Sequence, residues 1–165
     1  QGAFGRGMAG AIRQRFPEVE KTYKKMTRQW VEKENGDTSR LLGRVSAQPV
    51  EQDGRWFLIA NLYGQDDYGK KGLYTDYAAL EQAMTEIRGF LDVREKHETV
   101  AFPYKIGCGS AGGDWEIVEE MIRRVFGDYD GTVQIWKLDE QTGRTARYNA
   151  VKIRVNRLKT ADNVV

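Results

Sequence analysis

Residues 99–138 constrain the fold of this chain more than any other stretch. An apolar run at 99–106 passes into a glycine-rich segment at 107–114, an amphipathic pattern follows at 115–126, and a second apolar run covers 132–138. Strand, loop, helix and strand in that order make a crossover unit. Crossovers join parallel strands, and such strands need cover on both faces.

Upstream, small and apolar residues predict a helix over 8–16. Pro17 interrupts it, and 18–31 resumes helical spacing with Val19, Tyr23, Met26 and Trp30 along one core-facing stripe. Residues 35–39 read as a polar loop. Strands follow at 43–50 and 55–63, separated by the turn residues Gln52, Asp53 and Gly54, and the run WFLIANLY is apolar enough for a central strand. After a polar segment at 64–75, Thr75 or Asp76 caps a long helix over 77–96. The alternation predicts an α/β fold with a covered, mostly parallel sheet. The tail differs. Residues 140–143 read as a hairpin turn and 144–155 as an antiparallel strand, with Arg144, Arg147, Lys152, Arg154, Arg157 and Lys159 and no intervening acid.

At 165 residues the chain matches one domain, and 40% hydrophobic with 11% aromatic residues is too apolar for a disordered chain. It lacks the long uncharged run that a membrane helix needs. Cys108 is the single cysteine, so no internal disulfide forms, and the opening QGAFGRGMAG shows none of the regions of a secretory signal. These features predict a cytoplasmic protein without a membrane partner. The formal charge of +2 argues against a nucleic-acid partner, although the basic hairpin is the surface such a partner would contact.

Two segments carry chemistry. Gly5-Arg6-Gly7-Met8-Ala9-Gly10 and Gly107-Cys108-Gly109-Ser110-Ala111-Gly112 both fit the spacing G-x-G-x-x-G, and both lead into a predicted helix. Glycine lets backbone approach an anion closely, and the N–H groups of a helix start stabilise phosphate there. One such loop alone reads as a tight turn; two suggest a grip on a diphosphate from both sides. A dinucleotide fold fits poorly, because the first loop opens onto helices and the second leads to a basic hairpin in place of a second nucleotide half.

The segments GAFGRGMAGAIRQRFP, GQDDYGKKGLYTDYAAL and FPYKIGCGSAGGDWEIVEEMI resemble the macrodomain family, in its branch of ADP-ribose-1″-phosphate phosphatases and small ADP-ribosyl hydrolases. The resemblance covers most of residues 2–138. It implies a single domain over 1–165 with a three-layer α/β/α core, extended by the basic segment 139–165. It also implies a cleft for ADP-ribose or ADP-ribose-1″-phosphate, free or on ADP-ribosylated macromolecules, with no metal or other cofactor. Gly5, Gly7, Met8 and Ala9 would lie against the distal ribose and diphosphate. Gly107, Cys108, Gly109, Ser110, Ala111 and Gly112 would close over the diphosphate. Trp136 stands where an aromatic packs on adenine, and reads equally as a core aromatic.

The departures also carry information. The family's opening strands, with an Asp for adenine and an Asn before the first loop, have no counterpart ahead of Gly2. Either they lie outside this sequence, or residues 148–165 take their place as in a circular permutation, with Asp162 and Asn163 as substitutes. The branch that deacylates acidic side chains has an Asp within the second loop, where Ala111 stands, and a Lys after the central strand, where the chain runs Tyr63-Gly64-Gln65. Asp114 remains as the candidate catalytic carboxylate, and equally as the cap of the following helix. His97 reads as exposed, Asp66, Asp67, Tyr68, Lys70 and Lys71 as a polar loop beside the cleft, and Cys108 as structural. A hydrolase and a binding module without turnover both remain open.

Overall fold

The computed structural model describes residues 7–65, 67, 69, 72–94, 98–138 and 148–152. Helix α1 (Gly7–Arg15) and helix α2 (Pro17–Lys33) stand either side of Phe16, with Pro17 at the start of α2, where its missing N–H costs nothing. A short 3-10 helix (Thr38–Leu41) leads to strands β1 (Val45–Gln52) and β2 (Arg55–Leu62). Helix α3 (Tyr77–Asp92), strand β3 (Thr99–Pro103), helix α4 (Trp115–Phe126) and strand β4 (Thr132–Leu138) complete the core, and β5 (Tyr148–Lys152) follows.

The pairings correct the expectation of a mostly parallel sheet. Of the described ladders, β3–β4 is parallel, while β1–β2 and β4–β5 are antiparallel. For β1 and β2 the reason is local. Asp53 and Gly54 both take positive φ, 52° and 72°, which closes a two-residue hairpin and leaves no room for a crossover. Nor does β2 read as a central strand. Among the described residues it pairs with β1 alone, and Trp56, Phe57 and Leu58 are exposed. Its apolar character is used nearer its end, where Leu62 packs towards α3 and Ile59 towards α2.

The main core lies between α3, α4 and one face of β3–β4. Leu80, Met84 and Leu91 from α3 meet Val118, Met121, Ile122 and Phe126 from α4 over Phe102, Val133 and Ile135. Spacings of three and four put these residues on one helix face, and alternation puts Val133 and Ile135 on one sheet face. Phe126 is fully buried, with its ring edge-on to Phe102 at 5.3 Å. A second cluster joins α1 and α2 to the hairpin. Val19 and Val50 are its buried centre, Ile12, Phe16 and Tyr23 pack around them, and Thr22 donates to Gln48 at 2.5 Å. Of the predicted α2 stripe, Val19 is wholly buried, while Tyr23, Met26 and Trp30 are half-buried.

Two elements end earlier than their patterns suggest. Helix α3 stops at Asp92, and His97 lies outside the described residues. Strand β3 stops at Pro103, where the chain turns through Tyr104 and Lys105. The expected antiparallel tail strand is β5, paired with β4 from Gln134↔Lys152 to Leu138↔Tyr148. The predicted turn at 140–143, the other basic residues of the tail, and Asp162 and Asn163 lie outside the described residues. No described helix is long and apolar enough to cross a membrane.

Phe126 is the centre of this packing, so Phe126→Ala should lower the unfolding free energy by about 3–5 kcal/mol in urea titrations. A loss below about 1 kcal/mol would contradict the core assignment.

Candidate functional site

The second glycine loop is the best-defined candidate site, and Thr75 shapes it. Thr75 lies just before α3 and is 5% exposed. Its hydroxyl donates to the Gly107 carbonyl at 2.5 Å, and the Ala111 carbonyl lies 3.4 Å away. The amides of Tyr74 and Thr75 also donate to the Ala111 carbonyl, at 2.7 and 3.1 Å, and Gly69 donates to the Ser110 carbonyl at 3.2 Å. Thr75 is therefore an anchor, and the helix cap is Asp76, whose Oδ1 accepts from the Ala79 amide at 2.9 Å.

Within the loop, Gly112 donates to the Gly109 carbonyl at 3.0 Å and Gly113 to the Gly107 carbonyl at 3.1 Å. The loop carbonyls of Gly107, Gly109, Ser110 and Ala111 are thus all engaged. The amides are not. Those of Gly109, Ser110 and Ala111 have no acceptor among the described residues, although Ala111 is only 2% exposed. Consecutive unpaired amides form an anion-binding concavity, and a buried one left unmatched costs about 1–3 kcal/mol.

The start of α4 is arranged differently from the expectation that it would grip phosphate. Asp114 is its N-cap, accepting from the Glu116 amide at 2.8 Å, and the Asp114 amide itself donates to the Tyr77 hydroxyl at 2.8 Å. A carboxylate already occupies this positive end of the helix. The consecutive amides without an acceptor among the described residues, Gly109 to Ala111, stand a few residues earlier.

Cys108 is half-buried, with Sγ 3.3 Å from the Ile106 carbonyl. Burial and then the Asp114 carboxylate push its thiol up from the ordinary value, with Lys105 opposing. A thiol held protonated is a poor nucleophile, which matches its structural reading.

Trp136 pairs with Pro103 and Ala150 on the strand ladder, and its carbonyl accepts from Tyr104 at 2.7 Å. It alternates with the core-facing Val133 and Ile135, so its ring lies on the opposite sheet face, with Nε1 donating to Gln134 Oε1 at 2.8 Å. Trp136 is half-buried there, outside the main cluster.

Of the first loop, Gly5 lies outside the described residues. Gly7, Met8 and Ala9 form the first turn of α1, and Ala9 packs in the second cluster, whereas Cys108 packs against the main one. Of the polar loop only Asp67 is described among the residues singled out. It lines a cleft of about 410 Å³ with Leu42, Leu73, Tyr74, Thr75 and Asp76. Thr75 and Tyr77 escaped the sequence reading as loop anchors, since a cap signal and a helix position hide contacts made more than 30 residues away.

No family model matches the chain, and no curated protein does. Solved structures do. A protein of unknown function from Bacteroides thetaiotaomicron is 26% identical, with a TM-score of 0.63 over 83% of this chain and 81% of that one. A second crystal structure from that organism is 26% identical, with a TM-score of 0.62 over 83% and 82%. The macrodomain of Mycobacterium tuberculosis DarG is 24% identical, with a TM-score of 0.59 over 81% of this chain and 80% of the other. This chain has a macrodomain-like fold.

The glycines of this macrodomain-like fold do not all serve one purpose. At Gly112, φ is 69° and an added Cβ would run into the Gly72 carbonyl. At Gly113 it would meet the Gly107 carbonyl at 2.7 Å. At Gly109 it would meet nothing within 4 Å. Gly112→Ala should therefore destabilise the protein by about 2 kcal/mol or more, while Gly109→Ala stays within about 0.5 kcal/mol of wild type in thermal unfolding. Equal effects at both positions would contradict this division.

Proposed function

We propose that this chain binds ADP-ribose or a close derivative, free or on ADP-ribosylated macromolecules, and holds its diphosphate on the second glycine loop. The observation that carries this reading is the row of amides at Gly109, Ser110 and Ala111, the last in a buried residue, that have no acceptor among the described residues, while the carbonyls of Gly107, Gly109, Ser110 and Ala111 are all engaged. A diphosphate supplies the acceptors those amides lack. The macrodomain-like fold supports the reading through the resemblance of the loop sequences.

In this reading Gly107, Cys108, Gly109, Ser110, Ala111 and Gly112 surround the diphosphate. Gly5, Gly7, Met8 and Ala9 approach it and the distal ribose from the other loop, and Trp136 packs on adenine. The chain acts as one three-layer unit, with residues 139–165 extending the sheet.

Gly109→Glu tests the loop. The new side chain enters open space, so the protein stays folded while a carboxylate faces the diphosphate. Calorimetric titration with ADP-ribose should show binding to wild type and none to the folded variant. Unchanged affinity would remove the loop from the site.

A hydrolase reading rests on Asp114, the only carboxylate of the segment 107–114. A water oxygen would attack the 1″-phosphorus, the bond from phosphorus to the ribose oxygen would break, and that oxygen would leave with one of the water's protons. Asp114 would orient the water, using the oxygen not engaged in the cap. The cap itself favours binding without turnover, since it already accounts for this carboxylate. Asp114→Ala separates the two. Loss of the cap costs about 1 kcal/mol, visible as a lower melting temperature. If Asp114 acts on the reaction, phosphate release from ADP-ribose-1″-phosphate per folded molecule falls far more than ADP-ribose affinity does. If only the melting temperature falls, Asp114 is a cap and nothing else.

A further inference from the structure

We propose that Lys105 is the cation that complements the anion on the second glycine loop, and that its backbone is held in an unfavourable conformation to place it there. The proposal rests on the phosphate reading above. The observation behind it is backbone geometry. Among the described residues, those with positive φ are glycines, Asn35, Asp53 and Lys105. Asparagine and aspartate tolerate the left-handed region, whereas a lysine at φ 60° is unusual.

Two turns follow one another at this point. Ile106 donates to the Pro103 carbonyl at 3.1 Å, which makes Lys105 the third residue of the first turn. Cys108 donates to the Lys105 carbonyl at 2.9 Å, which makes Gly107, at φ 75°, the third residue of the second. A positive φ at the third position is the usual place for glycine. The second turn has one. The first keeps lysine, in a loop that uses glycine freely elsewhere.

Strain of this kind persists where the side chain is needed. Lys105 is the only basic residue between Thr99 and Asp114, so no neighbour in that segment replaces its charge. Its ammonium lies 5.5 Å from the Tyr104 ring centroid, and Tyr104 packs edge-on against Trp115 at 4.9 Å. Lys105 is exposed, and the ring contact is a cation–π interaction that favours this orientation of its side chain. Its charge also reaches Cys108, where it opposes the effects of burial and Asp114. The three amides that lack an acceptor among the described residues supply partial charge, and Lys105 supplies a full one. The arrangement selects a polyanion over a neutral ligand.

The test titrates wild type, Lys105→Ala, Lys105→Arg and Lys105→Gly with inorganic pyrophosphate and, separately, with ADP-ribose. Lys105→Ala should weaken both by about tenfold and flatten the salt dependence, and Lys105→Arg should restore most of the affinity. Lys105→Gly should lose affinity as the alanine variant does, yet raise the melting temperature by about 2–4 °C because the strain is relieved. Lower affinity with higher stability is a signature that a purely structural lysine does not give. Pyrophosphate binding that depends on Lys105, without ADP-ribose binding, upholds this inference and sinks the ADP-ribose reading. ADP-ribose binding that ignores Lys105→Ala does the reverse. Failure of wild type to bind pyrophosphate, or a lower melting temperature for Lys105→Gly, overturns the proposal.

Discussion

The contact on which the site depends is the buried hydroxyl of Thr75 on the Gly107 carbonyl, at 2.5 Å. It joins the segment entering α3 to the loop leaving β3, 32 residues apart in sequence. Around it the neighbouring amides of Tyr74 and Thr75 take up the Ala111 carbonyl, and Gly113 stays small because Thr75 Oγ1 stands 3.0 Å from where its Cβ would be. Of the loop amides, those of Cys108, Gly112 and Gly113 are bonded, while those of Gly109, Ser110 and Ala111 have no acceptor among the described residues. In our proposal the anion meets the peptide units between Cys108 and Ala111, and the anchor holds the Gly107 and Ala111 carbonyls at either end of them.

A site built this way needs little from side chains. Partial charges on fixed amides cost no rearrangement when an anion arrives, and they are stronger where water is excluded. At the start of helix α4, Tyr77 and Asp114 already take up the amides of Asp114 and Glu116. That leaves the loop itself, and in our proposal Lys105, to meet a diphosphate.

Much of this was legible in the sequence, for reasons that differ by element. Helix α4 and strand β4 follow their patterns residue for residue, since each buries one well-defined face. The glycine loop was legible because its glycines take backbone positions that other residues avoid, as at Gly107 and Gly112. Among the described residues β2 pairs with β1 alone, so its place in the sheet was less legible. Its apolar run resembles a central strand, but periodicity does not reveal which edges pair, and Trp56 and Leu58 are exposed. The anchoring roles of Thr75 and Tyr77 and the left-handed turn at Lys105 were not readable, since each depends on a long-range contact or a backbone angle. Asp114 was readable as both cap and catalyst, and the structure places it in the cap.

The central claim is that the amides of Gly109, Ser110 and Ala111 are the anion-binding donors. The most direct measurement is a titration of the isotope-labelled protein with ADP-ribose, followed through its backbone amide resonances. The account predicts large downfield proton shifts for these three amides, with little change at Gly112 and Gly113, whose N–H groups are already bonded within the loop. Saturable ADP-ribose binding that leaves the amides of residues 109–111 unmoved would contradict it.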